Sequence, residues 1–203
     1  MTYTLPAQPP STIAEHTGCE DCATFHDWLL ARDRAERELH RGPGPTEGIS
    51  WPHRYFRWGP IAWPVHWCDL AEARDVDCGV FADLTWHLLR ERGVRADRLQ
   101  ICERAAAQET ALWRETWLDS TGSAAWILSD VLVYHEALVV HRDGGPAFFD
   151  PTERRPTLPS GLGLSGEPVW MRVWPGDPDG APPRWNGTAL APADWTRVAG
   201  DGR

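Results

Sequence analysis

Apolar positions recur along this chain with two periods, and the change from one to the other divides it. From Cys22 to about His40 the spacing is helical. Phe25, Trp28, Leu29 and Leu39 mark an apolar face among Arg and Glu, and GPGP at 42–45 stops the pattern. Residues 46–64 read as a Trp- and Pro-rich loop, with a short helical segment from Val65 to Ala73. A second helix follows in "DVDCGVFADLTWHLLRERG" (75–93). Asp77 is its N-cap, Phe81, Leu84, Leu88 and Leu89 form its buried stripe, and Gly93 is its C′ residue.

Beyond Gly93 the period shortens. "VRADRLQIC" (94–102) predicts a strand and "ETALWRETWL" (109–118) a helix. "VLVYHEALVVH" (131–141) is the strongest strand in the chain, "RDGG" (142–145) a hairpin turn, "PAFFD" (146–150) the partner strand, and "VWMRVW" (169–174) a further strand. Residues 1–17 read as an irregular arm. The Pro- and Gly-rich stretches 151–168 and 175–203 read as loops that wrap the domain. Helices first and an antiparallel sheet afterwards predict an α+β fold, with N-terminal helices packed on the sheet as one domain over 1–203.

Composition narrows the function classes. With 203 residues, 42% hydrophobic and 24% charged, the chain is globular in type and long enough for one core. A net charge of −9 argues against nucleic acid or an anionic membrane surface as partner. All 20 basic residues are arginine, which fits either GC-rich coding or loss of lysine near an acyl-transfer site. No apolar run has the length of a membrane span. The first residues lack a basic segment followed by an apolar one, which predicts a cytoplasmic protein.

Five cysteines, Cys19, Cys22, Cys68, Cys78 and Cys102, are an odd count for a disulfide framework. Cys78 stands at the predicted start of a helix, where unpaired N–H groups and the helix dipole favour a thiolate. The hairpin at RDGG brings the strand carrying His135 beside the one ending at Asp150, so imidazole and carboxylate can meet. A thiol needs such an imidazole to take its proton, and the imidazole needs a carboxylate to fix its tautomer. His141 is the runner-up base. His87 lies nine residues along the helix from Cys78, about 13 Å away at 1.5 Å per residue.

"DCGVFADLTWHLLRERGVRA", "YHEALVV" and "GGPAFFDPT" together resemble the transglutaminase-like group of the papain-type cysteine enzymes, over roughly residues 60–155. The resemblance implies Cys78 as nucleophile, His135 as base and Asp150 as its orienter. It also implies a second oxyanion donor from an aromatic or amide side chain upstream of the cysteine, with Trp63 and Trp67 in the right region. Where the family commonly reads His-Ala-Trp, this chain reads His135-Glu136-Ala137.

The implied activity is acyl transfer through a Cys78 acyl-enzyme. It would form or cleave an amide or thioester bond on a small molecule, peptide or carrier-bound acyl group, as in amide synthases of bacterial natural-product pathways. A processing cysteine peptidase is one alternative. The other is a non-catalytic binding module with zinc at Cys19 and Cys22, for which His16 and His26 complete four donors within eleven residues. That crowding argues against zinc. The expectation is therefore no metal and no cofactor, with Cys22 and Phe25 burying the first helix and Cys68 and Cys102 in the core.

Overall fold

The computed structural model describes residues 4–40, 46, 48–152, 167–176 and 181–199. GPGP at 42–45 and all of 153–166 lie outside them. Helix α1 spans Glu20–His40; strands β1 (Arg57–Trp58) and β2 (Asp75–Val76) pair in parallel; helix α2 spans Cys78–Glu91. Then come β3 (Ala96–Arg104), α3 (Ala107–Thr121), β4 (Ile127–Ser129), β5 (Leu132–Arg142), β6 (Gly145–Phe149) and β7 (Pro168–Trp174). The C-terminal part adds β8 (Arg184–Trp185), β9 (Thr188–Ala189) and β10 (Thr196–Arg197). The fold is α+β with a mostly antiparallel sheet in the order β10-β7-β3-β5-β4, and β6 also pairs with β5.

Local sequence explains α2 closely. The Asp77 carboxylate accepts from Val80 N at 3.0 Å, so the cap is the one the pattern predicts. Phe81, Leu84, Leu88 and Leu89 are buried, each contributing about 1.5–3 kcal/mol. Gly93 turns the chain at φ +72°, a left-handed conformation that glycine adopts without a Cβ clash. The helix packs on β3 and β5, where Ala96, Leu138, Val140 and Phe149 join its core. Leu99, Ile101, Ala137, Val139, Met171 and Val173 form a second core on the opposite sheet face.

Three expectations are corrected. In α1, Trp28 is part-exposed and Leu39 is 73% exposed. The buried face instead runs through Cys22, Phe25, Leu29, Asp33 and Glu36. The two carboxylates continue the stripe because each is paired, Asp33 with Arg92 and the Trp51 indole, Glu36 with Arg32 and Arg54. The segment Val65–Ala73 forms only a single 3-10 turn, Asp69–Ala71. The C-terminal stretch is not loop alone: β10 pairs with β7, and β8 with β9.

The N-terminal arm lacks helix and strand over its described residues, as expected, yet it is firmly tied. Ile13 is buried and its N–H donates to Asp83 Oδ2 at 2.8 Å. The Gln8 carbonyl accepts from Gln100 and Arg172. This arm crosses the sheet and delivers Ser11 to the site described next.

Candidate active site

The edge of β5 positions the site. One edge pairs with β3 along its length, from Leu132 to Val140. The other is shared: β4 opposes Leu132–Val133 and β6 opposes Leu138–Arg142. Residues 135–137 lie in the gap between those partners. Continuing the β5/β6 register by one step puts Asp150 opposite Ala137, diagonal to His135. His135 Nε2 and Asp150 Oδ2 are 3.0 Å apart. That bond leaves Nδ1 as the ring nitrogen for another partner.

The neighbouring thiol is that of Cys78. The thiol and the imidazole line the same cavity and each shifts the proton affinity of the other. The structure thus brings together Cys78, His135 and Asp150 from a helix start, a strand and a strand end. His141 is elsewhere, with Nε2 2.7 Å from Asp97 Oδ2, and it does not serve as an alternative partner for this thiol. His87 packs its ring against Trp67 and Trp86.

Electrostatics favour a charged imidazole. Burial pulls the His135 pKa down, but the Asp150 carboxylate and, after it, the Cys78 sulfur outweigh it, and the net value stands well above the ordinary histidine range. Burial would raise Asp150, yet His135 and the two bonds from Thr152 (N at 2.8 Å, Oγ1 at 2.6 Å) hold it below its ordinary value. The Cys78 thiol is pushed up by burial, against the pull of His135, with Asp77 and Glu136 adding to the rise. The sequence expectation of a thiol lowered by its helix start is therefore corrected. The cavity withholds solvent from the thiolate, and His135 carries the opposing influence.

Asp77 connects several features of the site. One oxygen caps α2 and the other accepts from Trp63 Nε1 at 2.6 Å. Burial lifts its pKa to about 6, against these hydrogen bonds. Gly79 permits the closeness of this corner: a Cβ there would meet Ser11 at 2.9 Å and the Trp63 ring at 3.1 Å.

The aromatic donors expected upstream of the cysteine are corrected. Trp63 lines the cavity with its ring, but its N–H is committed to Asp77. Trp67 is 2% exposed in the core beside Phe25 and does not line the cavity. The Cys78 N–H, at the first position of α2, has no acceptor within the helix and is the donor nearest the thiol by construction.

Both carboxylate oxygens of Glu136 are engaged. Its Oε1 accepts from Ser11 N (2.9 Å), Ser11 Oγ (2.8 Å) and the Tyr134 hydroxyl (2.7 Å), while Oε2 accepts from Arg98 (2.7 Å). Arg98 also pairs with Asp83 of α2 and donates to the Ser11 carbonyl. This buried network locks the arm, the helix and the sheet together beneath the thiol.

Beside Cys78 the cavity opens to about 490 Å³. Trp58, Trp113, Trp117 and Trp126 wall it, with ring centroids 5.0–6.2 Å apart. Trp126 Nε1 is buried there without an acceptor among the described residues. Three of these four rings come from α3 and the turn after it rather than from the Trp-rich loop 46–64. Their helical segment was legible; its packing against β1 was not.

A second set of reactive side chains lies apart from this cavity. His16, Cys19, Cys22 and Cys68 hold their donor atoms within 4.8 Å of one another. The donor set expected from sequence is corrected at one position. His26 packs against the Trp67 and His87 rings, and Cys68, expected in the core, is part-exposed and completes the group. Cys22 and Cys102 are buried as expected.

No family model matches the chain, and no curated protein or solved structure matches it either. Among the described residues no helix is long and apolar enough to cross a membrane.

Proposed function

We propose that this chain is a cysteine-nucleophile acyltransferase of transglutaminase-like fold that works through a Cys78 acyl-enzyme. The observation that carries the proposal is that Cys78 and His135 line one cavity while the buried Asp150 bonds His135 Nε2 from behind. In the imidazolium–thiolate form of the pair the Cys78 proton already rests on His135, and the thiolate sulfur attacks the carbonyl carbon of an amide, ester or thioester. The carbonyl electrons move to oxygen, where the Cys78 N–H at the start of α2 donates to them. As the intermediate collapses, the bond to the leaving amine or thiol breaks and the imidazolium returns the proton to it. An amine or water then loses a proton to His135, attacks the thioester, and frees the thiol.

The tryptophan walls suit the acyl half of the donor. Flat apolar surfaces stack on an aromatic or unsaturated acyl chain, and the unsatisfied Trp126 N–H offers one polar contact within it. A cavity of about 490 Å³ matches a compact acyl group in the low part of the 300–1,000 Å³ range of small-molecule sites. This favours transfer or amide chemistry on a small or carrier-bound acyl group over cleavage of a long extended peptide.

An arylacyl thioester of N-acetylcysteamine tests the proposal. Intact-mass measurement after brief incubation should find one acyl group per chain, mapped to Cys78 and absent from Cys78→Ala. An adduct distributed over several cysteines, or none, would overturn it.

A further inference from the structure

We infer that His16, Cys19, Cys22 and Cys68 form a structural Zn²⁺ site that fastens the N-terminal arm to the domain. The inference does not depend on the chemistry at Cys78.

Geometry comes first. A tetrahedral zinc with Zn–S near 2.3 Å and Zn–N near 2.0–2.1 Å sets neighbouring donors about 3.5–3.8 Å apart. Here the four donor atoms lie within 4.8 Å of one another, and Cys68 Sγ stands 3.3 Å from His16 Nδ1. The group is therefore close to the dimensions of a zinc tetrahedron, the widest pairs having to close by up to about 1 Å. Three thiols and one imidazole form the Cys3His donor set typical of closed structural zinc sites.

Independent features of the chain build the site. His16 to Cys19 is a tight turn, with Cys19 N donating to the His16 carbonyl at 3.0 Å and Gly18 at φ +76°. Cys19 immediately precedes α1 and Cys22 lies in its first turn, so a C-x2-C pair straddles the helix start. The fourth donor comes from 46 residues away in the chain. The arm pairs with the segment before Cys68, Ala14 N donating to the Val65 carbonyl at 2.8 Å and Trp67 N to the Ala14 carbonyl at 3.1 Å. The His16 ring stacks on His66 with centroids 3.5 Å apart. Two segments distant in sequence, 16–22 and the one ending at Cys68, thus turn their donors to one point.

The consequence reaches the cavity. The arm held by the metal carries Ile13 to Asp83 and Ser11 to Glu136 and the rim of Gly79. The segment held by Cys68 follows Trp63 by five residues. With four protein donors no coordination position is left for substrate, so the metal is a clasp.

The test uses the full chain expressed in zinc-supplemented medium and purified under reducing conditions without chelator. Elemental analysis should give about one zinc per chain in the wild type, in His26→Ala and in Cys78→Ala. Cys68→Ser and Cys22→Ser should fall well below that content. Since those variants could unfold, Co²⁺ is added to metal-stripped wild type as a second reading. Intense visible bands of tetrahedral thiolate-bound Co²⁺ are expected, together with a rise in melting temperature. Full zinc content in folded Cys68→Ser, or loss of zinc in His26→Ala, would overturn the assigned donors. Wild type without zinc and without Co²⁺ bands, or holding a Cys19–Cys22 disulfide in place of metal, would overturn the site itself.

Discussion

Replacing Asp77 with Asn removes a buried negative charge beside the Cys78 thiol while keeping a side chain that caps helices about as well. The folded pKa of Asp77 is about 6 against an ordinary value of 3.8. A carboxylate raised on folding contributes stability that is fully present below the unfolded value and is lost as pH rises through the folded one. The whole difference amounts to about 3 kcal/mol, and about 1.4 kcal/mol of it falls between pH 5 and 7.5. Asn cannot accept from both Trp63 Nε1 and Val80 N, as Asp77 does, so the variant also loses a hydrogen bond. That loss is independent of pH and cancels when the two pH curves are compared. Urea unfolding of both proteins from pH 5 to 7.5 should show the variant gaining on the wild type by roughly 1.4 kcal/mol across the range. The ionised Asp77 also raises the thiol pKa, so alkylation of Cys78 should be faster in the variant at pH 7.5 and little changed at pH 5. Parallel stability curves, with equal alkylation at both pH values, would refute this account of the charge at the helix start.

The other predictions concern the triad, the cavity and the network beneath it. Cys78→Ala should abolish acyl transfer, and His135→Ala should come close. Asp150→Asn should keep the Thr152 bonds to Oδ1 yet donate from Nδ2 to His135 Nε2. That places the ring proton on Nδ1 and should cost on the order of 10–10³ in rate, with far-UV circular dichroism unchanged. The His135–Asp150 pair contributes stability lost on both sides: as pH falls through the lowered Asp150 value, and as pH rises through the raised His135 value. Urea midpoints of Asp150→Asn should therefore vary less at both ends. Trp117→Ala should raise KM for arylacyl donors about tenfold with a smaller change in kcat, since it removes a ring stacked in the acyl wall. Arg98→Met should destabilise by about 3–5 kcal/mol in urea unfolding, because it leaves the buried carboxylates of Asp83 and Glu136 without their shared cation.

Local signals were legible and distant ones were not. α2 could be read because its cap, its stripe and Gly93 act within a few residues of one another. His135 and Asp150 could be paired on paper because a hairpin joins them, and only the approach of Cys78 needed tertiary packing. The buried face of α1 departs from its apolar pattern at Asp33 and Glu36, since their partners Arg92 and Arg54 lie outside the helix. Cys68 was placed in the core for the same reason: its neighbours His16, Cys19 and Cys22 are distant in sequence. Trp63 and Trp67 differ only in which way a loop turns them, and neither residue type nor spacing encodes that. The gap between β4 and β6, which frames His135, is a property of the sheet edge and has no signature in any one strand.

Site-resolved alkylation tests the central claim most directly. A limiting dose of iodoacetamide at neutral pH, followed by peptide mapping, compares Cys78 with the buried Cys102, whose thiol is pushed up to about 12. Cys78 should be modified far sooner, and His135→Ala should slow it at least about tenfold, because the imidazole is the group that lowers the thiol pKa. Labelling of Cys78 no faster than Cys102, or a rate unchanged in His135→Ala, would contradict the assignment of Cys78 and His135 as nucleophile and base.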